Sequence, residues 1–294
     1  MLDFGRLVTA MVTPFNQDQE IDLKETKKLV DHLIATGTEA IVVAGTTGES
    51  PTLTKDEKLL LFEKVLEFAN GRAKVIAGTG TNNTKTSIEL TKAAEQIGVD
   101  GVMLVAPYYN KPSQEGLYNH FKAIAAETKL PIMIYNIPGR TGVNIQAKTL
   151  IELSKIDNIV SVKEASGDLT QMGEIIKNTA DDFYLYSGDD KLTLPVLSIG
   201  GYGIVSVASH LVGDQMKDMI NSYLKGNNSL AASIHLDLLE FFEAIFVAPN
   251  PAPIKYLLNN NGFNVGSVRL PLVTVTDEQS NYLNQVYQKI MDRN

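Results

Sequence analysis

Asn158-Ile-Val-Ser-Val-Lys163-Glu-Ala-Ser-Gly-Asp168 reads as a short, β-branched strand that ends in a glycine-containing turn. It seats one lysine among Val and Ala near the strand's end. If such a strand is buried on both faces, the ammonium of Lys163 must find a counter-charge or lose its proton, because desolvation disfavours the charged form. The neutral amine is a nucleophile. A simpler reading has Lys163 snorkel to solvent or pair with Glu164. The choice turns on what the rest of the chain places around it.

The same unit recurs from Arg6 onward. Short Val/Ile-rich runs alternate with longer stretches of helical period, the pattern of repeated βα units around a parallel sheet. Strands are predicted over 7–13, 39–44, 73–77, 101–106, 132–136, the quoted stretch, 183–186 and 203–207. Helices are predicted over 22–35, from Thr54 through Leu66, through Ala94, over 114–127 and over about 213–224, with Thr54-Lys-Asp-Glu57 written as a capping box. Eight such units fit a (β/α)8 TIM barrel over residues 1–225, an α/β fold. A doubly wound sheet fits less well, because the first strand leads into Thr13-Pro-Phe-Asn-Gln with no glycine finger. Residues 226–294 read as a C-terminal helical appendage: one helix over 230–246, a break at Pro249-Asn-Pro-Ala-Pro253, and a last helix capped by Thr276-Asp-Glu-Gln279.

Composition narrows the chemistry. Acidic residues outnumber basic ones by 34 to 26, a net charge of -8 that argues against a nucleic-acid or anionic-membrane partner. Met1-Leu-Asp-Phe-Gly-Arg6 has no cationic segment followed by an apolar run, and no stretch has the length of a membrane span, so a cytoplasmic location is expected. The absence of cysteine excludes disulfides, thiolate catalysis and zinc-thiolate or iron–sulfur sites. His32, His120 and His235 fall on helices and His210 follows strand eight, so no metal-ligand set emerges. Gly45-Thr-Thr-Gly-Glu-Ser50 lacks the lysine of a P-loop, and no Gly-x-Ser-x-Gly elbow occurs. Gly200-Gly201-Tyr-Gly203 is either a weak phosphate cradle or a tight entry into strand eight.

Catalytic groups of such barrels sit at the C-terminal ends of strands. Here those ends carry Thr46 and Thr47, Tyr109, Tyr135, Arg140, Lys163 and Gly188. Two hydroxyls, two phenols, a guanidinium and a lysine describe an amine nucleophile with a proton relay and an anion clamp. Each has a plainer role: Thr46 and Thr47 as turn residues, Tyr135 as barrel filling in alternation with Met133, Arg140 as a loop cation paired to any acid. Together, on neighbouring strand ends, they favour a site.

Gly45-Thr-Thr-Gly-Glu49, Pro107-Tyr-Tyr-Asn110, Tyr135-Asn-Ile-Pro-Gly-Arg-Thr-Gly142, Lys163-Glu-Ala-Ser-Gly167 and Ser187-Gly-Asp189, with Pro249-Asn-Pro-Ala-Pro-Ile-Lys255 and Arg269-Leu-Pro271, resemble the dihydrodipicolinate synthase family across essentially the whole chain. The resemblance implies condensation of pyruvate with L-aspartate 4-semialdehyde, the first step committed to diaminopimelate and lysine. It implies no cofactor beyond a covalent imine of Lys163 with pyruvate, and no metal. Tyr135 would relay protons with Thr46 and with Tyr109 from a neighbouring subunit, so at least a homodimer is implied and, by likeness, a dimer of dimers. Thr47 would hold the pyruvate carboxylate, Val205 and Gly188 would line the pyruvate site, and Arg140 would take the aldehyde's carboxylate. Sister families, N-acetylneuraminate lyases and 2-keto-3-deoxy sugar acid aldolases, share the lysine, the tyrosine and the barrel. Neuraminate lyases usually carry Ser-Thr at the Thr46-Thr47 pair and an apolar residue at Arg140. A non-catalytic binding barrel would have no use for a buried lysine beside two tyrosines.

Many members of the family are inhibited by lysine at a second site, whose pattern Ser50, Asn82 and Tyr108 match. Lys58 stands where the lysine-sensitive type has His, and Thr86 where it has Glu. An added cation and a missing carboxylate repel the effector's ammonium groups. Feedback by L-lysine is therefore expected to be weak or absent; a clear drop in rate at low millimolar L-lysine, with substrates saturating, would contradict this.

Overall fold

The computed structural model describes residues 3–292; Met1 and Leu2, where the predicted barrel begins, and Arg293 and Asn294, where the predicted tail ends, lie outside the described residues. Eight strands run parallel: β1 (Leu7–Ala10), β2 (Ala40–Val43), β3 (Lys74–Gly78), β4 (Gly101–Val105), β5 (Ile132–Asn136), β6 (Ile159–Glu164), β7 (Tyr184–Ser187) and β8 (Gly203–Ser206). They close in chain order, β8 pairing with β1 through Val8 opposite Val205. This is the (β/α)8 barrel expected. Every residue of β1, β2, β5, β7 and β8 is buried, which is why these runs read as continuously apolar rather than alternating.

Helices α1 (Leu23–Ala35), α2 (Lys55–Ala69), α3 (Thr84–Ile97) and α4 (Gln114–Ala125) cover the first half of the barrel. α2 starts where its capping box directs, Thr54 Oγ1 accepting from Glu57 N at 3.2 Å and Glu57 Oε2 from Thr54 N at 2.8 Å. Four helices absent from the sequence reading follow: α5 (Pro138–Thr141), α6 (Ala147–Leu153), α7 (Leu169–Asn178) and α8 (Thr193–Ser198). α5 and α8 are too short to show a period, and α7 is announced only by Asp168, whose carboxylate accepts from Thr170 N and Gln171 N. α9 (Ser209–Leu224) begins earlier than predicted, with Val212 off helical geometry near its start.

In the tail, α10 (Asn228–Ala244), α11 (Ala252–Asn260) and α12 (Asp277–Met291) pack together and against the barrel's α9. The Pro-rich stretch that ends one helix also starts α11, because Pro251 and Pro253 fall at its N-cap and first turn, where no backbone N–H is required. Thr276 and Gln279 cap α12 reciprocally, as their spacing predicts. No helix among the described residues is long and apolar enough to cross a membrane.

Side chains of alternating positions fill the barrel interior, among them Val8, Val42, Met103, Met133, Tyr135 and Val205. β6 departs from simple pairing. Ile132 is opposite Ile159 but Met133 is opposite Ser161, so one residue of β6 is skipped. Because side chains alternate between faces, this shift sets Lys163 beside Tyr135 on the inner face.

Gly203 explains the glycines before β8. A Cβ there would lie 2.2 Å from the Arg6 carbonyl oxygen, so the glycine permits the backbone approach that closes the barrel. That role needs no phosphate. Gly203→Ala is expected to lower stability by about 2 kcal/mol or more; an unchanged urea midpoint would show that the closure has slack.

Candidate active site

Lys163 is 5% exposed, and its amine sits 4.2 Å from the centroid of the Tyr135 ring. It does not pair with Glu164, whose side chain lies on the other face of β6. There the carboxylate accepts from Asn136 Nδ2, Ser166 N and Gln171 Nε2. Burial pulls the Lys163 pKa from 10.5 down to about 7; Asp190 opposes this and Arg140 adds to it. A large fraction of the amine is therefore unprotonated near neutral pH. Tyr135 is 3% exposed, and burial pushes its phenol up to about 12, against the pull of Arg140 and a hydrogen bond with the Thr46 side chain. It is a protonated phenol with a hydroxyl partner, the form that can pass a proton without ionising at rest.

The room for the lysine stem comes from Gly188. A Cβ at that position would stand 2.7 Å from the Ala165 Cβ and 3.1 Å from Lys163 Cε. Asp190, two residues on, is fully buried and is held by Ser206 Oγ at 2.5 Å and by the N–H groups of Val207 and Ala208 at 3.1 Å. Burial raises its pKa to about 6, so it still carries mostly negative charge at neutral pH.

A cavity of about 360 Å³ adjoins Tyr135 and is lined by Thr46, Arg140 and Thr141 together with Ser50, Lys58 and Tyr108. Arg140, on the short helix α5, lines it. Arg140 and Lys58 line the cavity and, among the described residues, no carboxylate does, so its field favours an anion, although burial lowers the Lys58 pKa and weakens that side chain's hold on its charge. Lys163, Thr47, Gly188 and Val205 are not on that wall; Lys163 meets it through Tyr135. Thr47 is buried, and its Oγ1 accepts from Asn250 Nδ2 at 2.9 Å. Val205 is buried in the inner cluster that contains Tyr135. Tyr109 stands apart from the others: it has φ 74° and is 88% exposed.

The site thus sets a lysine amine on a tyrosine ring at the C-terminal end of a closed barrel, with an arginine on the wall of the adjoining cavity. The model of the dihydrodipicolinate synthetase family matches residues 3–290. The chain belongs to that family. It is 58% identical over 282 residues to 4-hydroxy-tetrahydrodipicolinate synthase 1 of Halalkalibacterium halodurans, covering 96% of each chain. The crystal structure of a dihydrodipicolinate synthase from Bacillus anthracis superposes with a TM-score of 0.96 at 55% identity, over 98% of this chain and 99% of that one. A structure of the enzyme from Cyanidioschyzon merolae with lysine bound gives 0.96 at 48% identity, over 97% and 98%. The resemblance carried by the sequence motifs is thus confirmed for the family and the fold.

For this dihydrodipicolinate synthetase family member, sequence reasoning did not single out Asp190 or Asn250. Asp190 was legible only as the second acid of Ser187-Gly-Asp-Asp190, and nothing local told it from a turn residue. Asn250 lies 203 residues from the threonine it touches, between prolines that signalled only a break. The four histidines stay apart from the site. His210 is buried with Nδ1 donating to Val207 O and Nε2 accepting from Val12 N, and burial lowers its pKa to about 4.

Gly188→Ala should crowd both the Ala165 Cβ and the Lys163 stem, so that the stem shifts together with the backbone just after β6. Its kcat is expected to fall on the order of a hundredfold, as for a misplacement of about 1 Å at the reacting atom. Turnover at the original rate, with folding intact, would show that the stem has space to spare.

Proposed function

We propose that the chain is a 4-hydroxy-tetrahydrodipicolinate synthase that condenses pyruvate with L-aspartate 4-semialdehyde through an imine on Lys163. The observation that carries this reading is the desolvated Lys163 amine, lowered to about 7 and set on the face of a protonated Tyr135. The names of the relatives supply the reaction, and the site has the groups it requires.

In this reading Lys163 Nζ attacks the keto carbon of pyruvate. Tyr135, with Thr46, shuttles the protons that convert the carbinolamine to an imine with loss of water. Loss of a methyl proton gives an enamine, which forms the new carbon–carbon bond at the aldehyde. The amino group of the second substrate then displaces the lysine at the imine carbon and closes the ring. Thr47 holds the pyruvate carboxylate, while Val205 and Gly188 shape the pocket around the pyruvate carbons. Arg140 takes the carboxylate of the aldehyde as a bidentate partner. The covalent imine serves in place of a cofactor. Arg140, with relatives named as synthases, argues against the sugar-acid aldolase and neuraminate lyase readings.

Tyr109 completes the relay from a second copy of the chain. Its exposure and left-handed backbone suit an aromatic that reaches outward rather than into its own site. The working unit is then at least a dimer, and a dimer of dimers by family likeness. Residues 1–225 form the catalytic barrel and 226–294 the helical region attached to it. A cytoplasmic location accords with the absence of a membrane-length apolar helix among the described residues.

The reading is checked by reducing the protein with borohydride in the presence of pyruvate and mapping the adduct by mass. The expected adduct is on Lys163. Its formation rate should rise about tenfold per pH unit up to about pH 7 and then level, because only the free amine attacks. An adduct elsewhere, or a rate still climbing toward the ordinary lysine pKa of about 10.4, removes the proposed mechanism.

A further inference from the structure

The loop that carries Thr46 and Thr47 is anchored by residues two hundred positions away. Glu49 closes that loop in a left-handed conformation, φ 57° and ψ 36°, with its carboxylate buried. Glu49 Oε1 meets Lys255 Nζ at 2.7 Å, with both side chains at most 2% exposed. Glu49 Oε2 accepts the Arg269 backbone N–H at 2.8 Å. Lys255 also donates to Ser267 O at 2.9 Å and stands 4.2 Å over the Phe15 ring. Between these anchors and the site, Asn250 Nδ2 holds Thr47 Oγ1, while Asn250 Oδ1 has no hydrogen-bond partner among the described residues.

A buried ion pair is a poor device for stability alone, since the cost of desolvating two charges offsets much of their attraction. What it provides over an apolar contact is direction. A non-glycine residue in the left-handed region is strained, and it persists only where its surroundings over-determine it. Glu49 is held from two sides by the tail, at the end of the loop whose Thr46 reaches Tyr135 and whose Thr47 is held by Asn250. The tail therefore shares in placing the two threonines, although both belong to the barrel, whose Thr13 Oγ1 also donates to Gly48 O at 2.7 Å.

We infer that Glu49, Lys255 and Asn250 form a latch through which the C-terminal tail positions the Thr46–Thr47 loop for the carboxylate of the keto-acid substrate. Glu49 and Lys255 act as positioning residues, because neither lines the cavity or meets Lys163. The inference rests on the reading above, in which Thr47 holds the pyruvate carboxylate. It assigns the tail a part in binding the first substrate and none in binding the second.

The test is steady-state kinetics of Glu49→Gln, Lys255→Met and Asn250→Ala in the full-length protein. Each is expected to raise KM for pyruvate by about tenfold or more and to leave KM for the aldehyde within about twofold. Borohydride should still trap the imine on Lys163 at saturating pyruvate. Arg140→Ala should give the mirror image, a raised aldehyde KM with pyruvate little changed. Leu283→Ala, which opens a hole under the buried face of α12 without touching the loop, is the control for a loosened tail; it should lower the melting temperature with neither KM altered.

If a single charge removal prevents folding, the double variant Glu49→Gln/Lys255→Gln leaves no unpaired buried charge. It should fold while keeping the raised pyruvate KM. Equal rises in both KM values, or a pyruvate KM that stays at its original value in variants that fold, would overturn the latch. Absence of a pyruvate adduct in the unaltered protein would instead sink the functional reading, so the two failures are distinguishable.

Discussion

Everything at the C-terminal face answers to one constraint, the burial of a lysine amine inside a closed barrel. The interior of an eight-stranded barrel is a packed core, and an ammonium placed there loses its water without gaining a full counter-charge. Burial dominates the outcome for Lys163, with Asp190 holding the proton on and Arg140 driving it off. The unfolded chain binds that proton more tightly, so the site destabilises the fold by an amount on the order of a few kcal/mol at neutral pH. The penalty is full below about pH 7 and shrinks as pH climbs toward the ordinary lysine value. Reactivity and stability are set against each other at this one atom. The glycine at 188 and the aromatic face of Tyr135 are what make the burial sterically possible.

The placement is a matter of parity. A strand alternates faces residue by residue, so one irregularity between β5 and β6 decides whether Lys163 faces its tyrosine or the helices outside. With the shift, Lys163 and Ser161 turn inward, while Glu164 turns outward to Asn136 and Gln171. Two adjacent ionisable residues thereby acquire opposite fates. Glu164 keeps a full set of donors between sheet and α7, and Lys163 keeps an apolar bed and a phenol.

Much of this was legible in the sequence because the information is local. The βα alternation gave the barrel, the capping boxes at Thr54 and Thr276 set two helix starts to the residue, and the strand-end residues included Thr46, Tyr135 and Arg140 on the cavity wall. What escaped depended on distance or on parity. The orientation of Lys163 relative to Glu164 could not be read until the bulge was known. α11 was hidden because its prolines serve as a start signal as readily as a stop. Asp190, Asn250 and the partners of Glu49 were silent, since their roles exist only in contacts that join separate ends of the fold.

Those long-range contacts show why the tail is more than an attachment to the barrel. Loops at the catalytic face leave their strands in strained conformations, with Ala44 at φ 53° and Glu49 at φ 57° bracketing the two threonines. A barrel strand can position a side chain on the strand itself, as β5 and β6 do for Tyr135 and Lys163, but it has no grip on a loop beyond its end. Strain in such a loop relaxes unless something outside the βα unit opposes it. Asn250, Lys255 and the Arg269 backbone meet the loop from the tail, whose α11 packs against α9, so the loop has a hold outside its own βα unit. In the proposed reading the barrel thus fixes the Lys163 amine, and the tail helps to fix the Thr46 and Thr47 hydroxyls.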